Sequence, residues 1–84
     1  MSAETVDAMR ELVTFLARSL VDDPDAVEVE VVEGDRAWVL ELSVAEDDLG
    51  KVIGKEGRTA RAIRTLLATM SARGRKRAVL DILE

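Results

Sequence analysis

The sequence predicts an α+β fold with elements in the order α-β-β-α-α-β, and three observations predict it. Apolar residues recur every three or four positions near the N-terminus and again after residue 58. They alternate with polar residues between residues 27 and 44 and again near the C-terminus. Pro and Gly fall between these runs, where the chain must turn. The 84 residues suffice for one modest core and are read as one domain, an N-terminal helix and linker over 1–25 followed by a sheet and a helix-turn-helix unit over 26–84. With 48% hydrophobic and 35% charged residues the composition is that of a globular chain.

Ser2 is positioned to cap the first helix, with Glu4 and Asp7 near its first turn, where the helix dipole favours them. Val6, Met9, Val13, Leu16 and Leu20 then form an amphipathic stripe over about residues 3–21, widened by Leu12 and Phe15. Pro24, within Asp22-Asp23-Pro24-Asp25, ends this helix, because it cannot continue helical geometry and disfavours it at Asp23. Val27, Val29 and Val31 alternate with Glu28 and Glu30 as a strand with one dry and one wet face. After the turn at Glu33-Gly34-Asp35, residues Trp38, Leu40, Leu42 and Val44 form the second strand of a hairpin, with Trp38 as a core cap beneath the first helix. Glu46, Asp47 and Asp48 open a short helix whose first turn they stabilise. A longer helix from about Arg58 to Ala72 carries the stripe Ile63, Leu66, Leu67 and Met70. A basic loop, Arg73 to Arg77, leads into a last strand of Ala78, Leu80 and Ile82 alternating with Val79, Asp81 and Leu83, expected to be buried on both faces or nearly so.

Between the short and long helices lies Gly54-Lys55-Glu56-Gly57, preceded by Val52-Ile53. A glycine at each end permits positive φ and leaves no side chain in the way of a ligand's backbone. The amides of Gly57, Arg58 and Thr59 are expected at a helix N-terminus, which favours phosphate, and Lys51, Lys55, Arg58 and Arg61 surround that point. The pattern is that of an anion-binding turn for a sugar–phosphate chain. A nucleotide-binding P-loop needs four residues between its glycines and Ser or Thr after the Lys, neither of which is present. The turn also reads as a plain helix–turn–helix connection whose glycines only make the bend.

Val52-Ile53-Gly54-Lys55-Glu56-Gly57, followed by Arg58-Thr59 and Ile63, resembles the GXXG signature of KH domains, which clamp about four nucleotides of single-stranded nucleic acid. Ala60 stands where the family pattern has a bulky aliphatic residue. The length and layout resemble the small bacterial single-KH proteins of the KhpA family. The resemblance implies a type II KH fold, a three-stranded sheet covered on one face by three helices. It also implies single-stranded RNA as the partner, with Gly54, Lys55, Glu56 and Gly57 passing the backbone, Lys51, Arg58 and Arg61 neutralising phosphates and Ile53 facing the bases. Arg73, Arg75, Lys76 and Arg77 are then expected on the groove's other wall. Self-association, or pairing with a larger KH-containing RNA-binding protein, is implied too, as is a role as RNA chaperone or post-transcriptional regulator tied to cell elongation and division.

The charge distribution agrees with a two-sided molecule. Residues 1–48 carry 3 basic and 14 acidic side chains, residues 49–84 carry 9 and 3, and the net charge is −5. An acidic half repels nucleic acid and so confines it to the other side. With no cysteine or histidine, thiol chemistry and the common zinc sites are excluded. The serines lie in no nucleophile motif and no carboxylates form a marked pair, so a non-catalytic protein without cofactor, metal or small-molecule substrate is expected. No stretch is apolar enough to span a membrane and the N-terminus lacks a basic start with an apolar run, so a cytoplasmic location is expected. Two other functions fit the same residues: a helix-turn-helix DNA binder using Arg58, Thr59 and Arg61, and a protein-interaction module using the first helix or exposed Leu66 and Met70.

Overall fold

The computed structural model describes residues 3–74 and 76–84; the Ser2 cap, the Glu4 side chain and Arg75 lie outside what it describes. Helix α1 (Ala3–Leu20) leads through a 3₁₀ turn at Pro24–Ala26 into strands β1 (Glu28–Glu33) and β2 (Ala37–Ser43). A second 3₁₀ turn, Glu46–Asp48, opens helix α2 (Leu49–Ile53), and a third, Lys55–Gly57, joins it to helix α3 (Arg58–Met70), which returns to strand β3 (Arg77–Ile82). The order is the one read from periodicity. Strand β2 is central, antiparallel to β1 and parallel to β3. The parallel pair is what the α2–α3 crossover requires, because a parallel return needs a long connection and a hairpin does not.

Side chains alternate across these strands, so the register decides which residues meet the helices. Val29, Val31, Leu40, Leu42, Ala78, Leu80 and Ile82 face one way and pack with Val6, Met9, Val13, Ala17, Val52, Ile63 and Leu67 from the three helices. The other face is open. Strand β3 is therefore not buried on both faces as expected: Val79 is 41% exposed and Asp81 lies beside it on the same side. Helices cover one face only, and an alternating strand at the edge of such a sheet must show its other residues to water.

The helix stripes also differ in detail from expectation. On α1 the fourth buried position is Ala17, while Leu20 is exposed and Phe15 is 67% exposed. On α3 the buried row is Ala60, Ile63 and Leu67, whereas Leu66 and Met70 point outward. Each buried row includes one alanine, Ala17 on α1 and Ala60 on α3, beside larger core residues such as Met9 and Leu67, and the apolar residues on the flanks stay outside. Helix α3 stops at Met70, two residues sooner than expected, and Ser71 explains the stop. Its buried hydroxyl donates to the Leu67 carbonyl at 2.8 Å and accepts the Ala78 amide at 3.2 Å, tying the end of α3 to β3. Trp38 is half-buried against the core as expected, and Lys76 covers its ring at 5.1 Å from the centroid.

Truncating Leu67 to Ala removes a fully buried side chain and should lower stability by about 2–5 kcal/mol, whereas Leu66→Ala should change it by less than about 1 kcal/mol. Urea melts of the two variants check this; equal losses would mean that α3 presents a different face to the sheet.

Candidate nucleic-acid interface

The turn at Gly54–Gly57 is built from unusual backbone. Gly54 has φ 79° and ψ 170°, a region open in practice only to glycine, and a β-carbon there would collide with the Thr59 side chain. Glu56 adopts φ 57°, the one positive value at a non-glycine among the described residues, and Gly57 follows at φ 73°. Left-handed geometry costs an ordinary residue roughly 1–2 kcal/mol. Strain of this kind persists where the surroundings enforce it, commonly at binding sites.

The backbone donors are placed differently from the sequence expectation. Gly57 donates its amide to the Gly54 carbonyl at 3.1 Å, and Arg58 donates to the Lys55 carbonyl, so two of the three amides expected to face phosphate are taken by the 3₁₀ turn. The amides of Lys55 and Glu56 donate none of the turn and loop hydrogen bonds among the described residues. Glu56, at φ 57° and ψ 26°, marks the tip of the turn beside these two amides. The donor set thus sits two residues earlier, at the tip of the turn.

The cations divide into two groups. Lys51 lies 3.2 Å from both Asp22 Oδ2 and Asp48 Oδ1, and Lys76 lies 2.6 Å from Glu33 Oε2 while covering Trp38. These two expected phosphate ligands are engaged within the fold. Arg58 has only a loose contact to Glu56, 3.7 Å between exposed groups. Lys55 and Arg61 make no ion pair among the described residues. Arg58, Arg61 and Arg64 follow one another at three-residue spacing, a row of exposed guanidiniums climbing α3 away from the turn.

That row leads to a groove of about 650 Å³ between α3 and the edge strand β3, where Arg64 faces Arg77 across Ala68, Ala72, Val79 and Leu80. Arg64 donates from Nε to the Leu80 carbonyl at 3.4 Å, which bridges the two walls. The structure therefore brings Arg77 into the groove, but places Arg73 beside Thr5 and Met70 instead. Half-buried Ile53 closes α2 immediately before the turn. Arg64 is not among the residues expected at the site, because on the helix it drifts further round than Arg58 and Arg61; its three-residue spacing from Arg61 was the available signal. The groove contains no aromatic ring, which leaves aliphatic surface and guanidinium planes as the base-contacting groups.

Asp48 was the other omission. It is 2% exposed, and the amides of Asp22 and Asp23 donate to its two oxygens at 3.2 and 3.0 Å, beside the Lys51 ammonium. Burial pushes its pKa up, but the Asp23 and Asp22 amides and then Lys51 together outweigh it, and the carboxyl lies below its ordinary value. Lys51 is raised, first by its hydrogen bond to Asp48 and then by Asp22.

A GXXG turn between two helices, mounted on a sheet of this order, defines a KH domain of the type II arrangement. The chain belongs to the KhpA/KhpB KH-domain family, whose model matches residues 5–82. It is 49% identical over 75 residues to the RNA-binding protein KhpA of Caldanaerobacter subterraneus subsp. tengcongensis, covering 89% of this chain and all of that one. The RNA-binding protein KhpA of Borreliella burgdorferi is 49% identical over 74 residues, 88% of this chain and 90% of its own. That of Aquifex aeolicus is 47% identical over 79 residues, 94% and 100%.

The Asp48 contacts favour the ionised carboxylate in the folded state only. Their contribution is complete above the ordinary carboxylate value of about 3.9 and is lost as pH falls through the lower native value. The raised Lys51 acts in the opposite sense, contributing below about 10.4 and losing that contribution as pH rises through its native value. Asp48→Asn should therefore melt several degrees below the parent at pH 7, and the gap should narrow from pH 5 to pH 2. Thermal melts across that range check the sign; a constant gap would mean that the carboxylate's charge is immaterial.

Proposed function

We propose that this protein binds single-stranded RNA without catalysis, the backbone passing over the Gly54–Gly57 turn and the bases lying along the α3–β3 groove. One observation carries the reading. Lys55, Arg61 and Arg64, which make no ion pair among the described residues, form a path from the strained turn to a groove whose far wall bears Arg77, while the acidic residues are concentrated in the other half of the sequence. The name borne by the relatives, RNA-binding protein KhpA, agrees with it.

Contacts to phosphate position a strand without reading it, and this groove offers few directional groups for base edges, so sequence preference is low. Three or four phosphate contacts on a single strand give a salt slope of about −2 to −3. Binding by one such unit is weak, and pairing with a second KH-bearing chain, whether a copy or a larger RNA-binding protein, raises it by effective concentration. A weak, unspecific, reversible contact of this kind suits an RNA chaperone or post-transcriptional regulator in the cytoplasm.

A variant with Asp at both 55 and 56 tests the turn. Aspartate tolerates left-handed backbone better than most residues, so the fold should survive, as circular dichroism can verify. The parent should bind a labelled single-stranded RNA of a dozen nucleotides better than the matching duplex, and the variant should lose at least about tenfold in affinity. Equal binding by parent and variant, or a preference for duplex, would overturn the proposal.

A further inference from the structure

The two edges of the sheet carry grooves of different chemistry. The one at β3 bears Arg64 and Arg77 and, among the described residues, no carboxylate. The one at β1, about 710 Å³, lies beside α1; Val29, Val31 and Trp38 line it with Glu28 and Glu30, and the helix contributes Asp7, Arg10 and Arg18. Strand β1 runs six residues in unbroken register with β2, contains neither proline nor lysine, and is paired on one side only. The free side of such a strand offers N–H and C=O groups to a further strand, and natural proteins ordinarily blunt it with lysine, proline or a bulge.

What β1 carries instead is glutamate. Glu28 and Glu30 are exposed, and neither forms an ion pair among the described residues, although Arg10 and Arg18 line the same groove. The register continues the charge across the open face, Glu30 opposite Glu41 and Glu41 opposite Asp81. Like charges directly opposite one another destabilise a sheet, so this row costs the isolated fold stability. A second copy of β1 along the edge would place glutamate against glutamate, and RNA would meet the same repulsion. A strand with Lys or Arg at every second position would instead complete the row. Its intervening residues would then face the groove beside Val29 and Val31, which calls for aliphatic side chains.

We propose that the free edge of β1 receives an extended protein segment in which aliphatic residues alternate with Lys or Arg, added to the sheet as a fourth strand. The site lies on the opposite edge from the basic groove, so it does not depend on the RNA reading and can be filled at the same time.

The test uses a blocked nonapeptide alternating valine and lysine, titrated into the isotope-labelled full chain. Amide shifts and slowed hydrogen exchange should appear at Glu28–Glu33, and Trp38 fluorescence should change. A valine–glutamate peptide should bind at least about tenfold more weakly, and Glu28→Lys with Glu30→Lys should reverse that order. N-methylation of one alternate set of peptide amides should abolish binding, while methylation of the other set should be tolerated, because only one set faces the sheet. Equal binding by both methylated peptides would reduce the effect to charge adsorption and overturn the proposal, as would shifts centred away from β1.

Discussion

Asp48 takes hydrogen bonds from the amides of Asp22 and Asp23 and holds the Lys51 ammonium, and the placement of the GXXG turn depends on this cluster. Helix α2 has five residues, far too few to hold a helix together on its own. It is fixed by Val52 in the core and by this carboxylate, which joins its start to the chain leaving α1. The turn follows directly. The strained Glu56 can persist because both flanking helices are held, α2 by Asp48 and α3 by the buried row Ala60, Ile63 and Leu67.

The same cluster sorts the charges. Lys51 neutralises the acidic segment after α1, and Lys76 neutralises Glu33, so two cations of the basic half serve the fold. Of the others, Lys55, Arg61, Arg64 and Arg77 lie along the turn and the α3–β3 groove, where a polyanion can reach them. Acidic residues concentrate in the first half of the chain, among them Glu28, Glu30 and Glu33 on β1. The net charge of −5 therefore conceals a molecule with a basic edge and an acidic one.

Much of this was legible in the sequence. Element order followed from the periods of Val27–Val31 and Val6–Met9–Val13, and the turn from two glycines between helical runs. Less legible was anything set by where a second element lands. Asp48 looked like one more first-turn acid, because nothing local shows that the Asp22 and Asp23 amides will arrive above it. Leu66 and Leu67 are adjacent, and only packing against the sheet decides which turns inward. The apolar run Ala78–Leu83 suggested a strand covered on both sides, but its final surroundings depend on the helices sharing one face. The commitments of Lys51 to Asp22 and of Lys76 to Glu33 were hidden for the same reason, since these partners lie 29 and 43 positions away in sequence.

The central claim is that RNA runs from the Gly54–Gly57 turn along the α3–β3 groove. Backbone amide shifts of the labelled protein on titration with a single-stranded decanucleotide test it most directly. Shifts concentrated at Lys55 to Arg61, at Arg64 and at Arg77 to Leu80, with α1 and β1 unmoved, are the expected result. Shifts centred on α1 or β1, or none at millimolar RNA, would contradict it.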